Sequence, residues 1–343
     1  MKLDMKFRAQ KFLGIPYCGI LLSLALLQIS CTNKKASISI PPAPPASVQA
    51  VPERLFAPYF ATWLPDDLTQ VAQASGIHYF TLAFVTSHSN TCTPIWSNKI
   101  TVDAEPNIPV QIAALRKQGG DVLVSFGGAE GRELGRVCKD PDSLRAAYQA
   151  VIDKYNLRMV DFDIETAAVR DPASVDHRNL ALAALEKANP TLKVSFTLEV
   201  MPSGLTEESL NLLKNAVQHD VRIDTVNILA MDYGPPADPN LMGQNAIDAA
   251  THTLEQLQAM HLDARLGITA MLGKNDVSPE VFTQIDAQTL FHFAQGNPRI
   301  GLLSMWSVGR DRPCPAGAKV VAGACSGIEQ QPYEFTHTFQ KFQ

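Results

Sequence analysis

Short apolar runs alternate with amphipathic stretches along the chain from Arg54 onward. Each apolar run has the length of a buried strand, and each amphipathic stretch repeats its apolar residues at helical spacing. Eight such alternations predict an α/β protein with the (β/α)8 TIM barrel fold. The alternative is an open, doubly wound sheet, which would normally carry a Gly-rich phosphate-binding turn after the first strand, and none stands there. The predicted strands are LFAPYFATW, HYFTLAFV, DVLVSFGG, MVDFDIE, LKVSFTLEV, TVNILAMDYG, ARLGITAML and IGLLSMWSV.

The fourth predicted strand carries three carboxylates at alternate positions, Asp161, Asp163 and Glu165. Alternate side chains share one side of a strand, so these acids should face into the barrel and toward its C-terminal mouth. Neighbours on one side lie roughly 6–7 Å apart and repel by roughly 2–3 kcal/mol when both are charged. At least one acid should therefore be protonated near neutral pH. We expect Glu165, nearest the mouth, to be a general acid, and Asp161 and Asp163 to share a proton and a hydrogen bond.

Other interpretations of the acidic strand are weaker. Ion pairing would need Arg or Lys on inward strand positions, and none is recognisable there. A Mg²⁺ site would need further ligands on other strands. A zinc site is poorly supported, because Cys314 and Cys325 have no CxxC partner. We therefore expect no bound metal.

Short motifs end four of the predicted strands: SFGG (Ser125–Gly128), DFDIE (Asp161–Glu165), MDYG (Met231–Gly234) and MWSVGRD (Met305–Asp311). Together and in this order they resemble the signatures of the family 18 glycoside hydrolases, and the compact bacterial chitinases in particular. The resemblance covers the whole predicted barrel. It implies a single catalytic domain that hydrolyses β-1,4 bonds between N-acetylglucosamine units of chitin or chito-oligosaccharides, with no metal or organic cofactor.

The resemblance also implies roles for individual residues. Glu165 would protonate the glycosidic oxygen, while the N-acetyl oxygen of the substrate attacks the anomeric carbon, so that the configuration is retained. Asp163 would orient the acetamide and alternate between hydrogen bonds to Asp161 and Glu165. Tyr233 would hydrogen-bond the acetamide oxygen. Ser125 would hydrogen-bond Asp161, although an ordinary strand serine is an equally good interpretation.

Several other residues fit a substrate-binding role. Gly127 and Gly128 would let a sugar approach the backbone, or would simply ease a turn. Tyr59 should face inward from the first strand, and Gln244, after the sixth strand, should reach the acetamide.

The aromatic and sixth-strand residues complete the candidate site. Trp306 would form the apolar floor under the sugar that is cleaved, and Trp63 and Trp96 should also lie near the mouth. Met231 should pack against the site. Asp232 would either reach the sugar or support its loop.

Two positions depart from the family pattern. Arg158 stands where the usual signature has a further Asp, which leaves the network beneath Asp161 undefined. Gly234 stands where the sixth-strand motif often has Asp. The connection GKNDVSPEVFTQI after the seventh strand is too short for the α+β insertion of some relatives. We therefore expect a shallow, open groove that favours internal cleavage.

Two rival functions remain open at this point. An endo-β-N-acetylglucosaminidase acting on N-glycan cores would need the same catalytic residues. A non-catalytic chitin-binding barrel would typically have lost the acid, and Glu165 is present.

The N-terminal segment predicts export. Residues 1–31 combine a basic start with the apolar run GILLSLALLQIS (Gly19–Ser30), and Cys31 resembles the lipidated cysteine of a bacterial lipoprotein signal, with Gln28 where Leu is usual. Plain secretion is the alternative. Residues 32–53 are Pro-rich and predict an extended linker, which leaves 54–343 as the barrel domain. We expect a secreted, periplasmic or lipid-anchored protein.

Charge and cysteine content narrow the choice of partners. The formal net charge is -5 and no Lys/Arg stripe is present, which argues against nucleic-acid binding.

Outside the N-terminal segment four cysteines remain, an even number that suits an oxidising compartment. Of three pairings we favour Cys92–Cys138 with Cys314–Cys325. A monomer is the expected state of a polymer-cleaving enzyme.

Overall fold

The strands predicted from the alternating pattern are all present. The computed structural model describes residues 50–97, 99–317 and 323–342. The barrel strands agree with the predicted apolar runs to within a few residues, and the described residues form four short antiparallel pairings besides them. The strands are β1 (Leu55–Phe56), β2 (Tyr59–Ala61), β3 (Tyr79–Ser87), β4 (Pro94–Trp96), β5 (Ile100–Thr101), β6 (Asp121–Gly127), β7 (Met159–Ile164), β8 (Lys193–Met201), β9 (Gly204–Leu205), β10 (Thr225–Ala230), β11 (Arg265–Met271), β12 (Gly273–Lys274), β13 (Val281–Phe282) and β14 (Ile300–Trp306).

The first predicted strand is divided into two short strands, β1 and β2, which together close the barrel. β1 pairs in parallel with β14, and β2 pairs in parallel with β3. Between them, the N–H of Ala57 donates to the carbonyl of Leu303, and the carbonyl of Pro58 accepts the N–H of Thr81. The remaining neighbours follow in the order β3, β6, β7, β8, β10, β11 and β14, all parallel. The segment Leu55–Ala61 thus joins both edges of the sheet, and the fold is a (β/α)8 barrel as predicted.

Capping residues mark the N-termini of several helices. Asp140 caps α3 by accepting the N–H of Ser143, and a proline follows at the first helical position. Thr283 and Asp286 form a reciprocal capping box at α8. The helices are α1 (Leu68–Ser75), α2 (Asn107–Lys117), α3 (Pro141–Tyr155), α4 (Thr166–Val169), α5 (Pro172–Ala188), α6 (Glu207–Gln218), α7 (Met242–Ala259), α8 (Gln284–Gly296) and α9 (Glu334–Phe339).

The core lies between the outward face of the barrel and the helices. Phe126, Phe162 and Phe196, on β6, β7 and β8, are fully buried there. The ring centroids of Phe126 and Phe162 are 5.2 Å apart, and Tyr148 of α3 packs against both. Because burying one such side chain contributes about 2–3 kcal/mol, this layer fixes which face of β7 points outward. The acidic face is left to point inward.

The connection after the seventh barrel strand is a small hairpin. β12 and β13 pair in an antiparallel manner between β11 and α8. The whole segment from Met271 to Gln284 is described, and it contains no inserted α+β domain, as the sequence predicts.

Both predicted disulfides are formed. Cys92 is bonded to Cys138, which ties the β3–β4 region to the segment before α3. Cys314 is bonded to Cys325. The predicted export signal (1–31) and all but the last residues of the linker lie outside the described residues. Within the described part of the chain, no helix combines the length and apolar character needed to cross a membrane.

Candidate active site

The three acids of β7 lie inside the barrel, as the alternation predicts. Asp161 and Asp163 are 2 % and 3 % exposed, and Glu165 is half-buried directly after the last residue of the strand. The intervening Phe162 and Ile164 are fully buried against the helices. Burial therefore increases in the direction away from the mouth, and Glu165 is the acid nearest to solvent.

Asp161 is held by hydroxyl groups from neighbouring strands. Ser125 Oγ donates to its Oδ2 at 2.6 Å, which is the contact expected from the sequence, and Thr197 Oγ1 donates to its Oδ1 at 2.7 Å. The hydroxyl of Tyr59 lies 3.1 Å from Oδ2. Burial raises the pKa of Asp161, and these hydrogen bonds oppose the rise. Asp161 is thus bound sideways across the barrel, and the predicted hydrogen bond to Asp163 is not among its contacts.

Asp163 is the acid whose protonated form is most favoured. Its pKa is raised well above the ordinary value, chiefly by burial and then by the charges of Glu165 and Asp161. A hydrogen bond joins it to Glu165, which raises the pKa of Asp163 and lowers that of Glu165. Its Oδ1 is buried without a hydrogen-bond partner among the described residues. The sequence predicted a protonated Glu165 and a proton shared by Asp161 and Asp163, and within this row the pKa of Asp163 is the most strongly raised.

Glu165 titrates close to neutrality. Burial raises its pKa to about 7, and the negative charges of Glu199 and Asp232 add to the rise. A carboxyl with this pKa can be protonated before a reaction step and ionised after it. Glu165 therefore has the properties of a general acid.

A cleft of about 890 Å³ opens in front of these acids. Four aromatic residues make its apolar floor. Tyr59 lies on β2, Trp63 just after β2, Phe84 on β3 and Trp306 at the end of β14. The rings of Phe84 and Trp306 are stacked with centroids 5.5 Å apart, and Trp63 lies 5.9 Å from Trp306. Aromatic faces of this kind are suited to the C–H faces of sugar rings. The sequence predicted Trp63 and Trp306 here but missed Phe84.

The sixth-strand motif lies differently from the prediction. Met231 and Asp232 line the cleft, whereas Tyr233 is 6 % exposed and lies in the core, where its hydroxyl has no hydrogen-bond partner among the described residues. The reason is that β10 ends at Ala230 and Asp232 has a positive φ of 51°, so the strand alternation no longer applies. Asp232, not Tyr233, is the polar side chain that this motif presents to the cleft.

Two further residues lie away from the cleft. Gln244 is exposed on α7, where its side chain donates to Asp248 one turn along the helix. Trp96 is 2 % exposed, because the chain turns back after β3 and places it in β4, with its indole N–H donating to the hydroxyl of Tyr155 at 2.8 Å. Neither can contact a substrate in the cleft.

The glycine pair after β6 serves the packing of the chain. A Cβ on Gly127 would lie 2.1 Å from the carbonyl oxygen of Asp163, and one on Gly128 would lie 2.7 Å from the ring of Phe84. Both have positive φ, and the N–H of Gly128 donates to the carbonyl of Asp163 at 2.8 Å. These glycines therefore let the β6–β7 edge and Phe84 approach each other. They do not line the cleft themselves.

Sequence reasoning also missed a polar strand beside the acids. β8 pairs Ser195 with Asp161 and Thr197 with Asp163 of β7, and Glu199 follows on the same inward side. The signal was present in the alternation of LKVSFTLEV, which has the same period as DFDIE. Arg310, which lines the cleft next to Asp232 and Asp276, was also missed, because it belongs to a short helical turn after β14.

The described residues include no cluster of three or more His, Cys, Asp or Glu side chains arranged to bind a metal ion. The acids of the cleft contact hydroxyl groups, backbone N–H groups, arginine and one another instead. The arrangement supports proton transfer by carboxyl groups in a partly desolvated cleft.

Comparisons with known proteins connect this geometry to a family. No family model matches the chain. The catalytic domain of a chitinase from Pyrococcus furiosus, solved by crystallography, is 34 % identical, with a TM-score of 0.76 over 85 % of this chain and 96 % of that one. The chain belongs to the family 18 glycoside hydrolases. A family 18 chitinase from Pseudoalteromonas aurantia, 17 % identical with a TM-score of 0.58, shares the fold.

Two curated relatives are longer than this family 18 chain. A probable bifunctional chitinase/lysozyme of Escherichia coli is 35 % identical over 318 residues, and endochitinase 11 of Metarhizium anisopliae is 34 % identical over 287 residues. The alignments cover 86 % and 77 % of this chain but only 35 % and 54 % of the relatives. The chain thus spans about a third and about half of their lengths.

Proposed function

We propose that the protein hydrolyses β-1,4 bonds between N-acetylglucosamine units of chitin or chito-oligosaccharides. The observation that carries the proposal is the position of Glu165, a half-buried acid at the end of the acidic row of β7 that lines a cleft with an aromatic floor, where burial raises its pKa to about 7. The names of the relatives, chitinase and endochitinase, support the same substrate.

The proposed reaction begins with proton transfer. Glu165 donates its proton to the glycosidic oxygen, and the bond from this oxygen to the anomeric carbon breaks. The acetamide oxygen of the same sugar attacks the anomeric carbon, so a cyclic oxazolinium ion forms and the leaving sugar departs as an alcohol. Water then opens this ring after losing a proton to Glu165, and the two inversions give net retention.

Asp163 supports the internal nucleophile. A protonated Asp163 hydrogen-bonds Glu165 in the free enzyme. Its other oxygen, Oδ1, is buried and has no partner among the described residues. A small rotation of the side chain would turn this oxygen toward the cleft, where it would accept the acetamide N–H. That hydrogen bond orients the acetamide and stabilises the positive charge that develops on it. Asp161, fixed by Ser125 and Thr197, adds negative charge beneath the same site.

The floor and the sixth-strand loop hold the sugar. Trp306 is the central ring of the aromatic floor and would lie under the sugar that is cleaved. Asp232 accepts the N–H of Val277 with Oδ1 at 2.8 Å, and this contact holds it in place where it lines the cleft. Both residues contact the substrate in this proposal, with Asp232 accepting a hydrogen bond from a hydroxyl or N–H group of the sugar.

We further propose that cleavage is internal. The short hairpin of β12 and β13 adds no wall to the cleft, in contrast to an inserted domain. Digestion of a reduced N-acetylglucosamine hexamer should therefore release dimers, trimers and tetramers together from the first time points. Release of disaccharide alone from one end would contradict this part of the proposal.

The test of the reaction uses native protein and Glu165→Gln on acetylated and deacetylated chito-oligosaccharides. We expect the native protein to cut only the acetylated substrate, the initial product to be the β-anomer by NMR, and the variant to lose on the order of a thousandfold in kcat. Rapid cleavage of fully deacetylated substrate would exclude participation by the acetamide. Release of glycans from an N-glycoprotein without action on chito-oligosaccharides would favour the endo-N-acetylglucosaminidase.

We propose, finally, that the protein is exported and anchored through Cys31. The pairing of Cys92 with Cys138 and of Cys314 with Cys325 supports an oxidising compartment. Expression of the full chain in a bacterial host, followed by fractionation and mass spectrometry, tests this. Native protein should be in the membrane fraction with a lipid on its N-terminal residue, and Cys31→Ser should be released or unprocessed.

A further inference from the structure

Glu199 joins the acidic strand to the backbone that follows it. It faces inward near the end of β8 and is half-buried where it lines the cleft. Its Oε1 accepts the N–H of Thr166 at 2.7 Å, and its Oε2 accepts from Nη2 of Arg170 at 3.3 Å. Both oxygens are thus used, one for the residue next to Glu165 and one for a cation.

The segment after Glu165 needs such support. Thr166 has a positive φ of 52°, an unfavourable backbone conformation for a β-branched residue. One turn of helix, α4, begins here, and its first N–H groups have no partner inside the helix. Side-chain capping by Glu165 itself is absent, so the Glu199 carboxylate supplies the acceptor from a neighbouring strand. The direction of the Glu165 side chain depends on this backbone.

We propose that Glu199 is a positioning residue for Glu165, that it fixes the turn after Glu165 through the Thr166 N–H, and that Arg170 modulates its charge. The inference rests on the proposed function of Glu165 as general acid. It adds to that function a pair of residues outside the signature motifs that hold this acid and set the pH range over which it works.

The charged neighbours of Glu165 come from several elements. Asp163 lies on the same strand, Glu199 on β8, Asp232 after β10, and Arg170 after α4. Like charges disfavour ionisation of Glu165, and burial together with Glu199 and Asp232 contributes to its raised pKa. The other charged groups that line the cleft are Lys99, Glu130, Asp276 and Arg310.

The two members of the pair should act in opposite directions. Removing the charge of Glu199 should lower the pKa of Glu165, since a like charge is lost. Removing Arg170 leaves Glu199 uncompensated, so the pKa of Glu165 should rise. The Arg170 side chain is 58 % exposed, and solvent screening should make its effect the smaller of the two.

The first experiment measures the pKa of Glu165 directly. Protein labelled with ¹³C at glutamate carboxyl groups is titrated by NMR, and the Glu165 signal is assigned by its loss in Glu165→Gln. We expect Glu199→Gln to lower the pKa by on the order of one pH unit and Arg170→Gln to raise it by less. Glu255→Gln, which removes an equal charge from the exposed side of α7, should leave it unchanged. Equal values in all four proteins would overturn the proposal.

The second experiment separates the hydrogen bond from the charge. Glu199→Gln keeps an oxygen for the Thr166 N–H, whereas Glu199→Ala removes it. We expect Glu199→Ala to lose on the order of tenfold in kcat at its own optimum, with KM nearly unchanged, and Glu199→Gln to recover most of this loss. In both variants the basic limb of the pH profile of kcat should move to lower pH. A rise in KM with unchanged kcat in both variants would make Glu199 a substrate contact instead.

These outcomes are distinguishable from failure of the proposed function. If native protein does not cut acetylated oligomers, the function of Glu165 is wrong, while the NMR titration still decides whether Glu199 and Arg170 control its pKa. If Glu199→Ala does not fold, as judged by circular dichroism, the titration of Glu199→Gln decides the proposal alone.

Discussion

Burial of Glu165 should make native protein less stable than Glu165→Gln at neutral and alkaline pH. The pKa of Glu165 is about 7 in the fold against an ordinary value of 4.5, chiefly because burial disfavours the charged form. The difference corresponds to a change of at most about 3 kcal/mol in the free energy of unfolding. Because the folded-state pKa is the higher one, native protein has its full free energy of unfolding below about pH 4.5, where Glu165 is protonated in both states. It loses up to this amount as the pH rises through about 7. A glutamine is neutral throughout and does not lose it.

Glu165→Gln should therefore gain stability over native protein as the pH rises. We expect the advantage to grow by about 2–3 kcal/mol between about pH 5 and about pH 8 and then to level off. Loss of the Glu165 charge also relieves Asp163, which acts in the same direction. Urea unfolding followed by circular dichroism at several pH values measures the difference, with Glu255→Gln as the control. A difference that stays constant across this range would refute the reasoning.

Three further predictions concern the parts that hold the site. Arg178→Met should cost about 3–5 kcal/mol in urea unfolding, because it leaves the buried Glu133 carboxylate, now 2.6 Å from Nη2, without its cation; adding Glu133→Gln should recover much of the loss. Replacing Cys92 and Cys138 by serine should lower the free energy of unfolding by about 4 kcal/mol, given the 46-residue separation, and a loss below about 1 kcal/mol would contradict this. Trp306→Ala should lower kcat/KM for oligomers by at least about tenfold without changing the pH profile, because the floor holds the sugar and does not transfer protons.

Alternation along the strands was enough to predict the barrel and the inward row of acids. It worked for Asp161, Asp163 and Glu165 because the outward residues between them are large and apolar, and only one orientation buries these. The order of strands followed from the regular alternation of strand and helix, and Ser125 could be placed beside Asp161 from the same period.

The same rule failed where strands end. Tyr233 follows a strand that stops at Ala230, and a left-handed residue at Asp232 reverses which side chain reaches the cleft. Trp96 was misplaced because a hairpin after β3 turned it into the core. Spacing alone could not show that Asp163 holds a proton more strongly than Asp161, because this difference comes from the charges near Asp163 and from the hydroxyl groups that bind Asp161.

The divided first strand has a consequence for how the chain reaches its final shape. β1 bonds to β14, its partner some 250 positions later, and the guanidinium of Arg54 donates to the carbonyls of Ala294 and Asn297. The earliest part of the domain to be synthesised thus finds its partner only when nearly the whole polypeptide is available. Until then the growing sheet has an open edge that invites wrong pairing, and contacts of such long range slow folding. A chain that closes its barrel late stays unfolded for longer, which suits the export proposed above.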